Sequence, residues 1–313
     1  MFTTPLDGRA GIDASLVRRL LAAQFPQWGH LSVTPVEVDG WDNRTYRLGH
    51  AMTVRLPTAE GYVPAVAKEN AWLPRLAPSL PVAVPSVLGM GAPGEGYPFP
   101  WSVRGWLPGE TAAPERIDDM PRFAVDVGEF LLALQGCDPT GGPAAGPHSW
   151  YRGAPPAHYD EETRRCLEVL EGDVDTVRAR AVWDAALAAP WDGRPVWFHG
   201  DIASGNLLVR EGALTAVIDF GTCGVGDAAC DLVIAWTMFS GDSREAFRRT
   251  VRQDSAAWAR ARGWALWKSL LVLADSLASD RARAEANLRV IAEVLDDHDR
   301  FARAGSDRSG IPR

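Results

Sequence analysis

Residues 199–206, HGDIASGN, place a histidine, an aspartate and an asparagine between two short apolar runs, Pro195 to Phe198 and Leu207 to Val209, that read as buried strands. VIDFG follows, so that Asp201, Asn206 five residues later and Asp219 thirteen beyond each stand at the edge of a short strand. A hairpin of those strands would bring the three side chains together. Oxygen ligands converging on one point are what a hard cation such as Mg²⁺ requires. The competing explanation is a polar hairpin turn that caps a core, with Asp and Asn present for turn geometry.

The spacing H-x-D-x-x-x-x-N followed by D-F-G is that of the protein-kinase catalytic loop and metal-binding motif. With D-F-G correctly placed, its joint chance occurrence is on the order of one in 100,000, and a turn alone does not explain the second motif. HGDIASGN with VIDFG and GVGDAACDL resembles the aminoglycoside phosphotransferase family, in which Gly replaces the Arg of the protein-kinase H-R-D. The likeness extends back through GWDNRTYRLG, VRLP, KENAWLPRLAP and WSVRGWLPGE to cover most of the chain. The resemblance implies an α+β, bilobal protein-kinase-like fold: a small β-rich N-terminal lobe and a larger, mainly helical C-terminal lobe. It also implies an enzyme that moves the γ-phosphate of ATP or GTP, with Mg²⁺, to a hydroxyl of a small molecule.

Pattern along the chain is compatible with this. Asp13 caps a helix over Ser15–Phe25, strands follow at Val33–Val38, Thr45–Leu48 and Met52–Leu56, and Gly49-His50 makes a tight turn between the last two. A helix over Pro64–Leu76 should be kinked or shortened by Pro74. Val87–Met90 and Trp101–Leu107 read as further strands. Beyond Pro108-Gly109, helices dominate: Phe123–Leu134, Glu161–Leu170, Val174–Ala188, Asp227–Phe239, Arg244–Arg262, Ala265–Ala278 and Arg283–Arg303. The expected division is residues 1–107 for nucleotide binding, ending in the hinge, and 108–313 for catalysis and the acceptor. The Pro/Gly-rich stretch 139–156 reads as a functional or flexible loop.

Where motifs match, the resemblance assigns roles. Asp201 is the catalytic base, and Asn206 and Asp219 are the Mg²⁺ ligands. His199 braces the loop. GWDNRTYRLG stands where protein kinases carry G-x-G-x-x-G, so Gly40 to Thr45, Asn43 among them, would cover the phosphates. The strand that should carry the phosphate-contacting lysine reads MTVRLP, and the chain's two lysines, Lys68 and Lys268, lie elsewhere. Arg55 therefore takes that place, paired with Glu69; arginine keeps its charge and contacts phosphate bidentately, with a different geometry. The Gly105 carbonyl and the Leu107 N–H would meet the adenine edge. Asp227 and Asp231, four apart at a helix start, support the loop or cap the helix.

Composition narrows the partners. With 313 residues, 46% of them hydrophobic and 23% charged, the chain is an ordinary globular protein long enough for two cores. A formal charge of −8 argues against nucleic acid, which needs clustered Lys and Arg, and suits a cationic small molecule weakly. The start, MFTTPLDGRAGID, does not resemble a secretory signal, and Lys268 and Asp275 interrupt the longest apolar run, so the expectation is a soluble cytoplasmic protein. Four cysteines without a C-x-x-C pair indicate neither disulfides nor zinc. Acceptor walls are expected from Trp150, Tyr151, Arg152, Tyr159, Asp160, Trp264 and Trp267, while Asp275, Glu285 and Asp296 could meet ammonium groups. A kinase of a housekeeping metabolite and a catalytically silent nucleotide-binding module remain as alternatives.

Overall fold

The computed structural model describes residues 11–37, 40, 42–191 and 193–309. Helix α1 (Ala14–Gln24) begins where the Asp13 carboxylate accepts the Leu16 N–H at 2.8 Å, and it buries Leu16, Val17, Leu20 and Leu21 along one face. That face shares a core with Tyr46, Leu48, Val54, Leu56, Trp101 and Val103. These come from an antiparallel sheet of β1 (Val33–Pro35), β2 (Asn43–Leu48), β3 (Met52–Pro57), β4 (Val87–Gly91) and β5 (Trp101–Gly105), in the order β1-β2-β3-β5-β4. Leu48 pairs with Met52 across a turn in which Gly49 takes φ 58°. Val38, Asp39 and Trp41, part of the expected strand end and turn, lie outside the described residues. Helix α2 (Val63–Leu76) starts with Pro64 in its first turn and runs two residues past Pro74, which removes one rung of the hydrogen-bond ladder without ending the helix. Its Leu73 and Leu76 belong to a second core.

That second core is wrapped by α3 (Met120–Gln135), α4 (Asp160–Val169), α5 (Thr176–Ala188), α6 (Ile234–Thr237), α7 (Gly241–Val251), α8 (Ser255–Ser276) and α9 (Arg281–Ser309). Within this half, β6 (Glu110–Thr111), β8 (Leu207–Arg210) and β9 (Ala213–Val217) form one ribbon, and β7 (Val196–Phe198) pairs with β10 (Gly224–Gly226). Periodicity misses β10, because GVG offers a single side chain to read. Stretch 139–156 is tied along this strand: Ala145 donates to the Val225 carbonyl at 2.9 Å, Val225 to Pro143 at 2.8 Å, and Asp227 to Gly153 at 2.9 Å. A Cβ at Gly226 would strike the Gly153 carbonyl, so the close approach requires glycine. The four cysteines are buried free thiols. Among the described residues no helix is long and apolar enough to cross a membrane.

Two helix boundaries differ from expectation. The break expected after Arg262 falls instead at residues 252–254: Arg252, at φ 49°, closes α7, and the Asp254 carboxylate opens α8 by accepting the Ala257 N–H at 2.7 Å. Gly263 lies inside α8, where any Cβ would run into Ala186 of α5, so it serves close helix packing rather than a break. The expected helix over Asp227–Phe239 is a 3₁₀ segment, Ala228–Val233, followed by the short α6; six residues cannot separate a period of 3.0 from 3.6. Because a left-handed conformation costs a non-glycine residue roughly 1 kcal/mol, Arg252→Gly should raise stability by roughly 0.5–1 kcal/mol in urea unfolding; a loss would show that Arg252's side chain does more than the backbone strain costs.

Candidate active site

The loop between β7 and β8 is fixed before its functional side chains are considered. Asp231, 1% exposed, receives two main-chain N–H groups: His199 on Oδ2 at 2.8 Å and Gly200 on Oδ1 at 2.7 Å. The fully buried His199 ring accepts the Asp201 N–H on Nδ1 at 3.2 Å, which leaves Nε2 to donate to the Ile218 carbonyl at 3.1 Å. Thr222 closes the third side, donating its hydroxyl to the His199 carbonyl at 2.9 Å. Gly200 has φ 84°, and a Cβ there would lie 3.0 Å from the Thr222 carbonyl and 3.2 Å from the Cβ of Arg152. Asp227 caps the 3₁₀ segment through the Ala229 N–H at 3.1 Å and forms a buried ion pair with Arg260 at 2.6 Å. Burial raises the Asp231 carboxyl, while the two N–H groups oppose it.

Asp201, Asn206 and Asp219 are brought together on this frame. The Asn206 amide nitrogen donates to both the carbonyl and Oδ2 of Asp201, each at 2.9 Å. Two acceptors on one side settle the orientation of the amide and turn its Oδ1 the other way. The Ile218 N–H donates to the Asn206 carbonyl at 2.9 Å, and Leu207 pairs with Val217, so Asn206 and Asp219 stand at adjoining ends of one ladder. Asp219 has φ 65°, a left-handed conformation that aspartate tolerates better than most residues. Its Oδ1 lies 3.6 Å from Arg55 Nη2.

On the N-terminal side, Glu69 of α2 sits between two arginines. Arg55 of β3 reaches it at 3.4–3.5 Å, and Arg104 of β5 at 3.1 Å. Burial would raise the Glu69 carboxyl, but Arg55, then Arg104 and Lys68, hold it below the ordinary range. Lys68 is buried one residue away and donates to Nδ1 and the carbonyl of His148 at 3.0 and 3.1 Å, strapping α2 to stretch 139–156. Asn43 opens β2 opposite Pro57. The Gly105 and Trp106 N–H groups go to Ser86 and Ala51 at 3.0 and 2.8 Å, and Leu107 lies half-buried just past the strand.

Sequence reasoning missed three residues at this site. Lys268 of α8 donates to Asp201 Oδ1 at 2.8 Å, so both oxygens of that carboxylate are held. Burial works to raise Asp201, but the charge and hydrogen bond of Lys268, with His199 and Arg152 behind it, keep it below the usual aspartate range. Arg104 is the second missed residue; a charge in an otherwise apolar strand was its only signal. Asp42 is the third. Burial, then the charges of Asp219, Asp201 and Glu69 against that of Arg55, push its carboxyl up to about 7. Burial and the charges of Glu69 and Asp201 raise Asp219 likewise, against Arg55.

Negative charge is thus least offset at Asp42 and Asp219, whose carboxyls are both raised. A divalent cation fits that imbalance. Among the described residues no three His, Cys, Asp or Glu side chains could together hold a metal. Mg²⁺ takes one or two carboxylates and completes its shell with phosphate oxygens and water.

Of the expected acceptor walls, Trp264 and Trp267 are buried. Tyr159 stacks on Trp267 at 4.0 Å, and the half-buried Arg152 lies 4.6 Å above the same ring. Trp150 and Tyr151 take φ 49° and 54°, and Trp150 is exposed. Consecutive left-handed non-glycine residues are the kind of strain found at binding loops. Glu285 pairs with Arg281 and Asp296 with Arg178, contacts made on α9 and not at the catalytic loop.

The elements and the site define an α+β, two-lobed protein-kinase-like fold. Residues 32–264 match the phosphotransferase enzyme family, and the chain belongs to it. Its fold is similar to the GDP and kanamycin complex of APH(2")-IIIa, with TM-score 0.69 and 17% identity over 90% of this chain and 98% of that one. ADP-bound APH(2")-Ib gives 0.56 and 15% over 91% and 97%. The macrolide 2'-phosphotransferase MphH of Brachybacterium faecium, as apoenzyme, gives 0.58 and 24% over 89% and 97%. No curated protein matches the sequence.

Two outcomes follow for the fold of the site. Asp231→Ala strands two buried N–H groups and should lower stability by about 2–4 kcal/mol in denaturant unfolding; an unchanged midpoint would mean that water replaces the carboxylate. For Asp42, the folded chain holds a proton up to about 7 whereas an unfolded aspartate releases it near 3.8, so its stabilising contribution is full below 3.8 and lost as pH rises to about 7. Thermal unfolding of Asp42→Asn should therefore fall less than wild type between about pH 5 and about pH 7, and parallel curves would remove Asp42 from the buried charge cluster.

Proposed function

We propose that the protein is an O-phosphotransferase that moves the γ-phosphate of ATP or GTP, with Mg²⁺, to a hydroxyl of a small molecule in the cytoplasm. The observation that carries this reading is the convergence of Asp201, Asn206, Asp219 and Arg55, with every oxygen of the Asp201 carboxylate held by a protein donor. Residues 1–107 would bind the nucleotide: the turn from Gly40 to Thr45, with Asn43, covers the phosphates, the Gly105 carbonyl and Leu107 N–H meet the base, and Arg55 contacts phosphate. Residues 108–313 would supply catalysis and the acceptor site.

Asp201 accepts a hydrogen bond from the acceptor hydroxyl and aims its oxygen at the γ-phosphorus. As the new O–P bond forms and the bond to the β-phosphate oxygen breaks, Asp201 takes the hydroxyl proton and the nucleoside diphosphate leaves. The transition state is loose, so orientation contributes more than proton removal. Asn206, through Oδ1, and Asp219 would hold Mg²⁺, which supplies charge neutralisation on the phosphate oxygens when bound. Hydroxylated antibiotics are the acceptors that the structural neighbours' names point to.

A Mg-ATP transfer screen against hydroxylated compounds tests the reading. Asp201→Asn should lower kcat by about 10²–10⁴-fold with nucleotide affinity unchanged. A parent enzyme that transfers to no acceptor while binding nucleotide would favour a silent module instead. Arg55→Ala should raise the KM for ATP about tenfold through the loss of a charged phosphate contact, with partial recovery in Arg55→Lys; an unchanged KM would confine Arg55 to its pairing with Glu69.

A further inference from the structure

We infer that the acceptor side of the cleft is built against cations, so that the substrate is an alcohol whose hydroxyl is flanked by neutral or anionic groups and not by ammonium groups. The inference rests on Asp201 being the group that takes the acceptor hydroxyl. Lys268 Nζ lies 2.8 Å from Asp201 Oδ1, and the two side chains remain 42% and 33% exposed, so this cation stands at the mouth of the site. Asp201 takes one of three ammonium N–H groups, and the exposed head keeps the others open to an oxygen on a ligand. A second cation stands close by. The Arg152 Cβ would lie 3.2 Å from any Cβ at Gly200, the residue before Asp201, and its guanidinium covers the ring of Trp267, the residue before Lys268.

The carboxylates on this side already hold protein donors. Asp160 accepts from Arg164 and from the Trp183 indole, each at 2.8 Å, and Glu162 accepts from the Trp267 indole at 2.8 Å. Asp275 is exposed on the face of α8 that carries Lys268, but two turns on, about 10 Å along the axis. The formal charge of −8 draws cations toward the whole protein. That attraction is screened beyond about 10 Å, whereas Lys268 acts at contact range, so the local sign decides which ligand settles.

Kanamycin serves as the polycationic probe. Its equilibrium binding is measured with Mg²⁺ and a non-hydrolysable ATP analogue on wild type, Lys268→Met, Lys268→Glu and, as a charge control, Arg122→Glu on the exposed surface of α3. Kanamycin should bind Lys268→Met about tenfold more tightly than wild type and Lys268→Glu more tightly still, the size expected for unit charges a few ångströms away. The control should stay within about twofold of wild type. Equal affinity of wild type and Lys268→Glu, the same gain in Arg122→Glu, or no binding to any variant would each overturn the inference. Binding of the ATP analogue is read on the same samples: if it is retained, only the acceptor inference fails, and if wild type lacks it, the phosphotransferase reading fails first.

Discussion

Two adjacent main-chain N–H groups, those of His199 and Gly200, are buried where no strand or helix can accept them, and the Asp231 carboxylate takes both. Buried donors must find acceptors, and a single carboxylate that meets two of them fixes the path of the loop at two points. The rest of the site follows from that path. His199 is held so that its ring bridges the Asp201 N–H and the Ile218 carbonyl, which ties the residue bearing the first carboxylate to the one preceding Asp219. Gly200 is a consequence as well, since the turn that presents both N–H groups leaves no room for a Cβ between Thr222 and Arg152.

Charge balance then divides the labour among the cations. Arg104, at 3.1 Å, is the nearer partner of Glu69, while Arg55 meets the same carboxylate at 3.4–3.5 Å, at the weak end of hydrogen bonding. A buried Glu69 with only one arginine would bind that arginine fully. With Arg104 present, Arg55 is anchored at the site but left with its head between Glu69 and Asp219, able to reach an anion placed there. Lys268 plays the corresponding part for Asp201, where it offsets the burial that would otherwise favour a protonated carboxyl. Asp42 and Asp219 share Arg55 with Glu69, and both carboxyls are raised.

What was legible in the sequence is what short-range geometry dictates. Asp201, Asn206 and Asp219 lie within a single loop and hairpin, so their spacing alone brings them together. Asp13 announces α1 by the same local logic. Asp254 opens α8 by the same logic, but the apolar period runs on past it, so periodicity does not mark the boundary. Gly263 stands in α8 because of the Ala186 side chain of another helix, which no window along the chain contains. Lys268 is separated from Asp201 by 67 residues, and its interruption of the apolar run in α8 does not say which carboxylate it meets. Asp42 read as an ordinary turn residue because its environment is made by β3, α2 and the catalytic loop together.

This difference in origin also separates the two halves of the chemistry. The phosphate side of the site is drawn from contiguous motifs, HGDIASGN and VIDFG, whose spacing along the chain brings their side chains together. Arg152, Tyr159 and Glu162 meet around Trp267, next to Lys268, and come from a loop and two helices with no common motif. A shared fold therefore leaves acceptor choice open, and it has to be read from the charges actually standing around Asp201.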